Sequence, residues 1–185
     1  MVDYHPGLEG VIATESSISD INGEKGILSY RGYSIEELAE KSTFEETAFL
    51  LLTGELPTPD ELTKFTKQIN VRRDLPSEMI DLLKTLPKES NPMDVIQLAV
   101  SSLGTFYPVT FDAEDLKAKK YTNDYYIEVS AGILGSIGSI VAAWNRIKNN
   151  KDYIKPDSNL SYADNFMHML DDSIEVTPLI SRIID

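Results

Sequence analysis

The sequence predicts a mainly α protein with a small N-terminal β-hairpin, and three observations lead to that prediction. Proline recurs where a helix would take its first residue, at Pro59, Pro76, Pro92 and Pro178. Upstream of residue 34, two runs rich in β-branched residues flank the turn-forming dipeptide Asn22-Gly23. A hydroxyl-bearing residue also stands three positions before an acid at four places, which is the spacing of a helix capping box; the pairs are Ser34 with Glu37, Thr43 with Glu46, Thr58 with Glu61, and Ser161 with Asp164.

The elements follow in order from these signals. The run VIATESSISDI is predicted to pair with GILSY through a type I′ turn at Asn22-Gly23. Gly54 and Gly104 occupy positions typical of helix C-terminal caps. Residues 1–33 are assigned to an N-terminal arm with the β-hairpin, and residues 34–185 to a helical part. Helices are predicted at 35–41, 44–53, 59–72, 76–86, 92–103, 124–148, 162–170 and 178–185, with connections at 105–123 and 149–160.

Helix 124–148 carries small residues along one side. Glycine inside a helix costs about 1 kcal/mol relative to alanine, so several glycines need a compensating gain such as the close approach of another helix. The helix is therefore predicted either to lie in the core or to form part of a subunit interface, with a bend at Gly138 as a competing explanation. The small residues are Gly132, Gly135, Ser136, Gly138, Ser139, Ala142 and Ala143.

The last predicted helix, TPLISRIID, begins with a good cap and reaches residue 185 after about two turns. Ile180, Ile183 and Ile184 share one face of it and need a cover. The sequence therefore favours a chain that is truncated inside a helix at its C-terminal end.

Composition excludes several classes of protein. The chain has 185 residues, 42% of them hydrophobic and 25% charged, which is typical of a globular protein. Because the chain has 17 basic and 30 acidic residues and a net charge of −13, we expect no nucleic-acid partner. No apolar run approaches the length of a membrane span, so no membrane partner is expected. The absence of cysteine excludes thiolate metal sites and fits a cytoplasmic protein.

The two histidines offer little chemistry. His5 lies in a Pro-Gly-rich leader, where a solvated terminus is the simplest interpretation. His168 sits at helical spacing among apolar residues and is interpreted as a partly buried helix residue. No HExxH, GxSxG, GxxxxGK[ST] or GxGxxG motif stands in a fitting context. The adjacent acids Asp171-Asp172 and Glu36-Glu37 are interpreted as solvated or capping groups.

Arg31-Gly32 joins the second strand to the first helix. Gly32 would let the backbone turn, and Ser34 would cap the helix, so a structural corner is favoured. Ligand binding by Arg31 is the alternative.

Longer strings resemble a known family. The run GLEGVIATESSISDINGEKGILSYRGYSIEELAEKSTFEETAFLLLTGELPTPDEL resembles the N-terminal region of bacterial and archaeal citrate synthases. The resemblance returns in NPMDVIQLAVSSLG, IVAAWNRIK and IKPDSNLSYADNFMHML, and so covers nearly the whole chain.

This resemblance implies a citrate synthase-like, multi-helical large domain and a homodimer formed through helices 92–103 and 124–148. The family condenses acetyl-CoA, a substrate and not a cofactor, with oxaloacetate. Its H-[AS]-[DE]-H-E string, its HGG-type and GxGHR-type loops and its catalytic Asp are absent from this sequence. His5 and His168 match none of these motifs. No catalytic, substrate-binding or metal-binding residue is therefore assigned, no cofactor is expected, and the chain is expected to be an inactive N-terminal half.

Two alternatives stay open under this resemblance. The first is a parent enzyme that uses propionyl-CoA, as 2-methylcitrate synthases do. The second is a non-catalytic dimerisation module of the same fold.

Overall fold

A computed structural model describes residues 6–8, 10–12, 14–107 and 123–185. The chain divides into two compact units, residues 1–42 and residues 43–185. The first unit contains strands β1 (Ser19–Asn22), β2 (Ile27–Tyr30) and β3 (Tyr33–Ser34) and helix α1 (Ile35–Lys41). The second unit contains helices α2 (Phe44–Thr53), α3 (Pro59–Val71), α4 (Ser77–Lys84), α5 (Pro92–Phe106), α6 (Asn123–Lys148), α7 (Tyr162–Leu170) and α8 (Pro178–Ile184). The mainly α fold class is confirmed.

The predicted hairpin is present, but its tight turn was placed wrongly. Strands β1 and β2 pair antiparallel with Asn22 opposite Ile27, so Asn22 belongs to the ladder and a four-residue loop follows it. Within that loop Gly26 takes the positive φ of 64°, whereas Gly23 does not. The pairing register, and not the dipeptide's own turn preference, therefore decides this loop.

Arg31-Gly32 forms the tight turn instead. The pair links β2 to β3, with Tyr30 opposite Tyr33. Both turn residues have positive φ, 50° at Arg31 and 91° at Gly32, as a type I′ turn requires. The Arg31 backbone N–H donates to the Ile18 carbonyl at 2.9 Å, and its Nη1 donates to Ser17 Oγ at 2.8 Å. Arg31-Gly32 is thus a structural corner, although it joins two strands and not a strand and a helix.

The helix starts follow the predicted cap chemistry. Reciprocal capping boxes join Thr43 to Glu46 and Thr58 to Glu61. The Oγ atoms of Ser34 and Ser161 each accept the backbone N–H three residues on, which confirms these residues as N-caps.

The predicted start of one helix and the predicted end of another need correction. Pro76 is the N-cap of α4 and not its first helical residue, because the helix begins at Ser77. Gly104 lies inside α5, which continues to Phe106, whereas Gly54 ends α2 with φ of 99° as predicted. Because Gly104 keeps a negative φ on an exposed helix face, it offers no left-handed cap.

Helix α6 is the centre of the second unit. Its C-terminal half contributes Ile140, Ala143, Trp144 and Ile147 to an apolar core shared with α4 and α5. Its N-terminal half contributes Ala131 to a smaller core with Phe49, Phe65 and Ile69. Of the two positions predicted for this helix, the core and a subunit interface, the structure confirms the core.

The close approach occurs at the end of α3. A Cβ at Gly135 would lie 2.2 Å from the Ile69 carbonyl oxygen, a distance that a side chain cannot occupy. The hydroxyls of Ser136 and Ser139 donate to the carbonyls of Arg72 and Arg73, at 3.2 and 2.6 Å. The helix continues through Gly138 to Lys148, so no break occurs there. Glycine and serine in α6 therefore let two backbones meet and satisfy the carbonyls at the end of α3.

By length and composition alone, α6 would suffice to cross a membrane, which corrects the sequence-based statement that no run approaches that length. Its buried residues include Ser136, Ser139 and Arg146, which bond to other parts of the second unit. Core packing therefore accounts for its apolar character without a bilayer.

Candidate functional site

Of the two histidines, His168 lies among the residues that the structure describes. His5 lies outside the described residues. His168 is half-buried on α7, as predicted, and faces a groove between α7 and α8. This α7–α8 groove encloses about 860 Å³, and its lining includes Leu160, Asp164, His168, Ile174, Ser181 and Arg182.

The adjacent acids at the end of α7 have structural partners. Asp171 Oδ1 accepts the Ser173 backbone N–H at 3.0 Å, and this bond holds the pKa of Asp171 below its ordinary value. Asp172 accepts from Arg146 Nη1 at 3.0 Å, and that hydrogen bond lowers the pKa of Asp172. Asp171 is thus a local capping group, as one of the two interpretations predicted, whereas the ion pair of Asp172 with Arg146 was not predicted.

A buried charged cluster joins α2, the segment after α3, and α7. Arg73 and Glu45 are 3% and 8% exposed. Arg73 Nη2 lies 3.8 Å from Glu45 Oε1, and its Nη1 donates to the Leu160 carbonyl at 3.2 Å. The Arg73 guanidinium also lies 5.2 Å from the ring centre of Tyr162. Tyr162 stacks on Phe44 at 4.2 Å and donates its hydroxyl proton to the Leu134 carbonyl at 2.7 Å.

Burial dominates the electrostatics of this cluster. Desolvation raises the pKa of Glu45, although Arg73 opposes that shift. Desolvation likewise lowers the pKa of Arg73 despite the attraction of Glu45. The pKa of Tyr162 is also raised, first by burial. At 3.8 Å the ion pair compensates only part of the cost of removing both charges from water.

The buried charged cluster is assigned a structural role. Among the described residues, no group of three or more His, Cys, Asp or Glu side chains could hold a metal ion. The Glu45 carboxylate faces Arg73 in the interior and not an open cavity. The arrangement can hold helices in register, and we assign it no catalytic role. Sequence reasoning did not single out Glu45, Arg73 or Tyr162 as a group, because 28 and 89 positions separate Arg73 from its two neighbours.

A second cavity, of about 790 Å³, lies between the C-terminal ends of α4 and α6. Four lysines line it, at positions 84, 88, 151 and 155, and each has a partner. Lys84 pairs with Asp81 at 3.4 Å, and Lys155 with Asp74 at 3.5 Å. Lys88 donates to Asn150, and Lys151 lies 3.6 Å from Asp171. Each of the four lysines therefore has a partner within the chain.

Comparison with known proteins identifies the family. Residues 7–185 match the family model described as citrate synthase, C-terminal domain. The citrate synthase of Acidithiobacillus ferridurans is 39% identical over 184 residues, which are 99% of this chain and 46% of that protein. The citrate synthase of Deinococcus radiodurans is 38% identical over 185 residues, which are 100% of this chain and 47% of that protein.

The fold agrees with the sequence comparison. The crystal structure of citrate synthase from Pyrobaculum aerophilum superimposes with a TM-score of 0.83 at 34% identity, over 96% of this chain and 44% of that one. The chain therefore spans about half the length of the relatives it matches. Both the resemblance stated from the motifs and the citrate synthase-like fold are confirmed. The chain belongs to the citrate synthase family.

Proposed function

We propose that this chain is the N-terminal half of an enzyme that condenses acetyl-CoA with oxaloacetate to give citrate and CoA. The observation that carries the proposal is the family match over residues 7–185, combined with coverage of 46% and 47% of two relatives. That the matched part is the first half rests on the order of the motifs and on the absence of the family's histidine strings from this sequence. In this proposal the chain supplies scaffold and a dimer interface, is cytoplasmic, and is inactive alone.

An assay of CoA release tests this proposal. The 185-residue chain is compared with a chimera that continues from Asp185 into the remaining half of the Deinococcus radiodurans relative, with acetyl-CoA and oxaloacetate supplied and the free thiol measured. We expect turnover from the chimera and none from the short chain. Turnover by the short chain would refute its inactivity, and an inactive chimera that folds and dimerises would favour the non-catalytic module. A parallel assay with propionyl-CoA distinguishes the 2-methylcitrate alternative.

We further propose that α5 and α6 form a homodimer interface. Apolar side chains stand uncovered on both helices, at Met93 and Leu98 on α5 and at Tyr126 and Ile133 on α6. Burial of such side chains against a second copy would stabilise a dimer by about 25 cal/mol for each Å² removed from water.

Light scattering coupled to size-exclusion chromatography tests this interface. We expect the parent chain to be a dimer. The double variant with Leu98→Glu and Ile133→Glu should be a monomer. Val71→Glu is the control, because Val71 is 69% exposed on α3 and lies on neither helix. A Val71→Glu chain that dissociates as readily, or a Leu98→Glu, Ile133→Glu chain that stays dimeric, would contradict this interface.

A further inference from the structure

The dipeptide Asn22-Gly23 does not form the turn that its sequence predicts. Asn22 pairs with Ile27 as the last pair of the ladder between β1 and β2. Gly26, and not Gly23, takes the positive φ of the loop that follows. Gly23 is exposed, and a Cβ at this position would meet no atom within 4 Å. The fold therefore places no demand on this glycine, and its backbone nitrogen stands in open space.

The side chain of Asn22 is exposed and is oriented by a hydrogen bond from the loop. Its Oδ1 accepts the backbone N–H of Lys25 at 3.0 Å. A donor on a carbonyl oxygen stabilises the negative charge that develops on that oxygen when a nucleophile attacks the carbon. The Lys25 N–H thus prepares the side-chain amide of Asn22 for attack.

The neighbouring backbone can supply the nucleophile. Attack by the Gly23 nitrogen on Asn22 Cγ closes a five-membered ring. Of the nine asparagines in the sequence, Asn22 alone precedes glycine, the residue that hinders a close approach least. The extended backbone of a strand holds the two atoms apart, so the last pair of the ladder has to open first. Opening at the end of a short hairpin, next to its loop, requires little free energy.

We propose that Asn22 is a site of spontaneous deamidation and isoaspartate formation. The Gly23 nitrogen gives its proton to water and attacks Asn22 Cγ. The N–Cγ bond forms, the Cγ–Nδ2 bond breaks, and ammonia leaves with a proton from water. A second water then opens the cyclic imide at one of its two carbonyls and gives aspartate or isoaspartate. The net change is one water consumed and one ammonia released, and it does not depend on the activity proposed above.

The modification alters the hairpin of the first unit in two ways. Either product adds a negative charge to a loop that already carries Asp20 and Glu24 beside it. Isoaspartate also adds one carbon to the main chain at this position, so the pair of Asn22 with Ile27 is lost. The ladder between β1 and β2 then ends one pair earlier.

Incubation of the intact 185-residue chain, followed by peptide mass spectrometry, tests the site. The readouts are the mass change from amide to carboxyl and the methyl groups that a protein isoaspartyl methyltransferase transfers. Asn159 is the internal control, because it is also exposed and lies in a turn but precedes leucine. A crowding cost of about 1.4 kcal/mol slows a reaction about tenfold, so modification at Asn22 should be faster than at Asn159 by about tenfold or more. The rate at Asn22 should rise with pH, since the attacking nitrogen has to lose its proton.

Two substitutions separate the attack from the opening of the hairpin. Gly23→Ala places a Cβ beside the nucleophile and should slow modification at Asn22 about tenfold by the same crowding cost. Ile27→Gly weakens the last pair of the ladder. Because strand preferences span about 1 kcal/mol, this variant should accelerate modification about fivefold. The rate at Asn159 should stay the same in both variants.

The proposal is overturned if Asn22 in the folded chain is modified no faster than Asn159. It is also overturned if Gly23→Ala leaves the rate at Asn22 unchanged, or if Ile27→Gly fails to raise it. Should a variant fold poorly, the comparison is repeated in guanidinium chloride, where the hairpin is absent. There Gly23→Ala should still slow the reaction and Ile27→Gly should have no effect, and any other result contradicts the proposal.

Discussion

The contact between α6 and α3 at Gly135 gives the sharpest prediction for folding. An alanine Cβ at this position would lie 2.2 Å from the Ile69 carbonyl oxygen and 3.2 Å from Arg72 Cβ. The Ile69 carbonyl also accepts the Arg72 N–H at 3.1 Å, so it cannot swing away without disturbing the end of α3. Gly135→Ala therefore requires the two helices to separate by on the order of 1 Å in a close-packed interior.

The magnitude follows from two opposing effects. Overpacking of a core costs about 1–3 kcal/mol and occasionally more, and here the obstacle is backbone and not a flexible side chain. Replacement of a helical glycine by alanine returns about 1 kcal/mol. We expect Gly135→Ala to lower the free energy of unfolding by about 2 kcal/mol net, which corresponds to a fall in Tm of about 4–8 °C for a chain of this size.

Two matched variants control for helix propensity. A Cβ at Gly132 meets Arg72 Cγ at 3.5 Å, an ordinary contact, and a Cβ at Gly104 meets nothing within 4 Å. Gly132→Ala and Gly104→Ala should therefore stabilise the chain, each by about 0.5–1 kcal/mol. Urea unfolding, followed by circular dichroism and by the fluorescence of the single, buried Trp144, measures all three at one protein concentration. The reasoning fails if Gly135→Ala is as stable as the parent, or if Gly132→Ala loses as much stability as Gly135→Ala.

Further predictions concern the charged groups and caps. Arg73→Met strands the buried Glu45 carboxylate and should cost about 3–5 kcal/mol, whereas Glu45→Met combined with Arg73→Met should recover most of the loss, as denaturant titrations can determine. A double variant as unstable as Arg73→Met would contradict this. Because its pKa is lowered in the folded state, Asp172 contributes stability above its unfolded pKa that is lost as the pH falls through the folded value. The difference in free energy of unfolding between Asp172→Asn and the parent chain should therefore shrink as the pH falls. A difference that stays constant down to the lowest pH would exclude this linkage. Thr58→Ala removes one half of a capping box and should lower the free energy of unfolding by about 1 kcal/mol. The exposed control Thr63→Ala should change it little, and equal losses in the two variants would argue against the cap.

Local chemistry explains which parts of the fold could be predicted. The capping boxes at Thr43 and Thr58 close within three residues, so the sequence alone contains both partners. The glycine-rich side of helix 124–148 implied a close neighbour, since glycine inside a helix is costly without one. The family motifs predicted the whole fold, and the superposition on the citrate synthase from Pyrobaculum aerophilum supports that prediction.

The errors occur where contacts with other residues override the preference of a short sequence signal. Asn22-Gly23 is a good hairpin dipeptide, but the ladder between β1 and β2 includes Asn22 and moves the centre of the chain reversal two positions on. Gly104 has the sequence context of a helix cap, yet α5 continues to Phe106. Leu103, the residue before Gly104, packs into the apolar core that α5 shares with α4 and α6. In both cases contacts outside the dipeptide or the single glycine decide the backbone conformation.

The sequence by itself determined most of the helix starts, the charge class and the family, because capping boxes and motifs lie within a few neighbouring residues and the charge follows from composition. Only the tertiary structure decided that α3 is the neighbour that requires Gly135, that Glu45 meets Arg73, and that Asp185 reaches Phe44. The three contacts join residues that are 66, 28 and 141 positions apart, and packing geometry alone selects among the many carboxylates and glycines that a sequence offers.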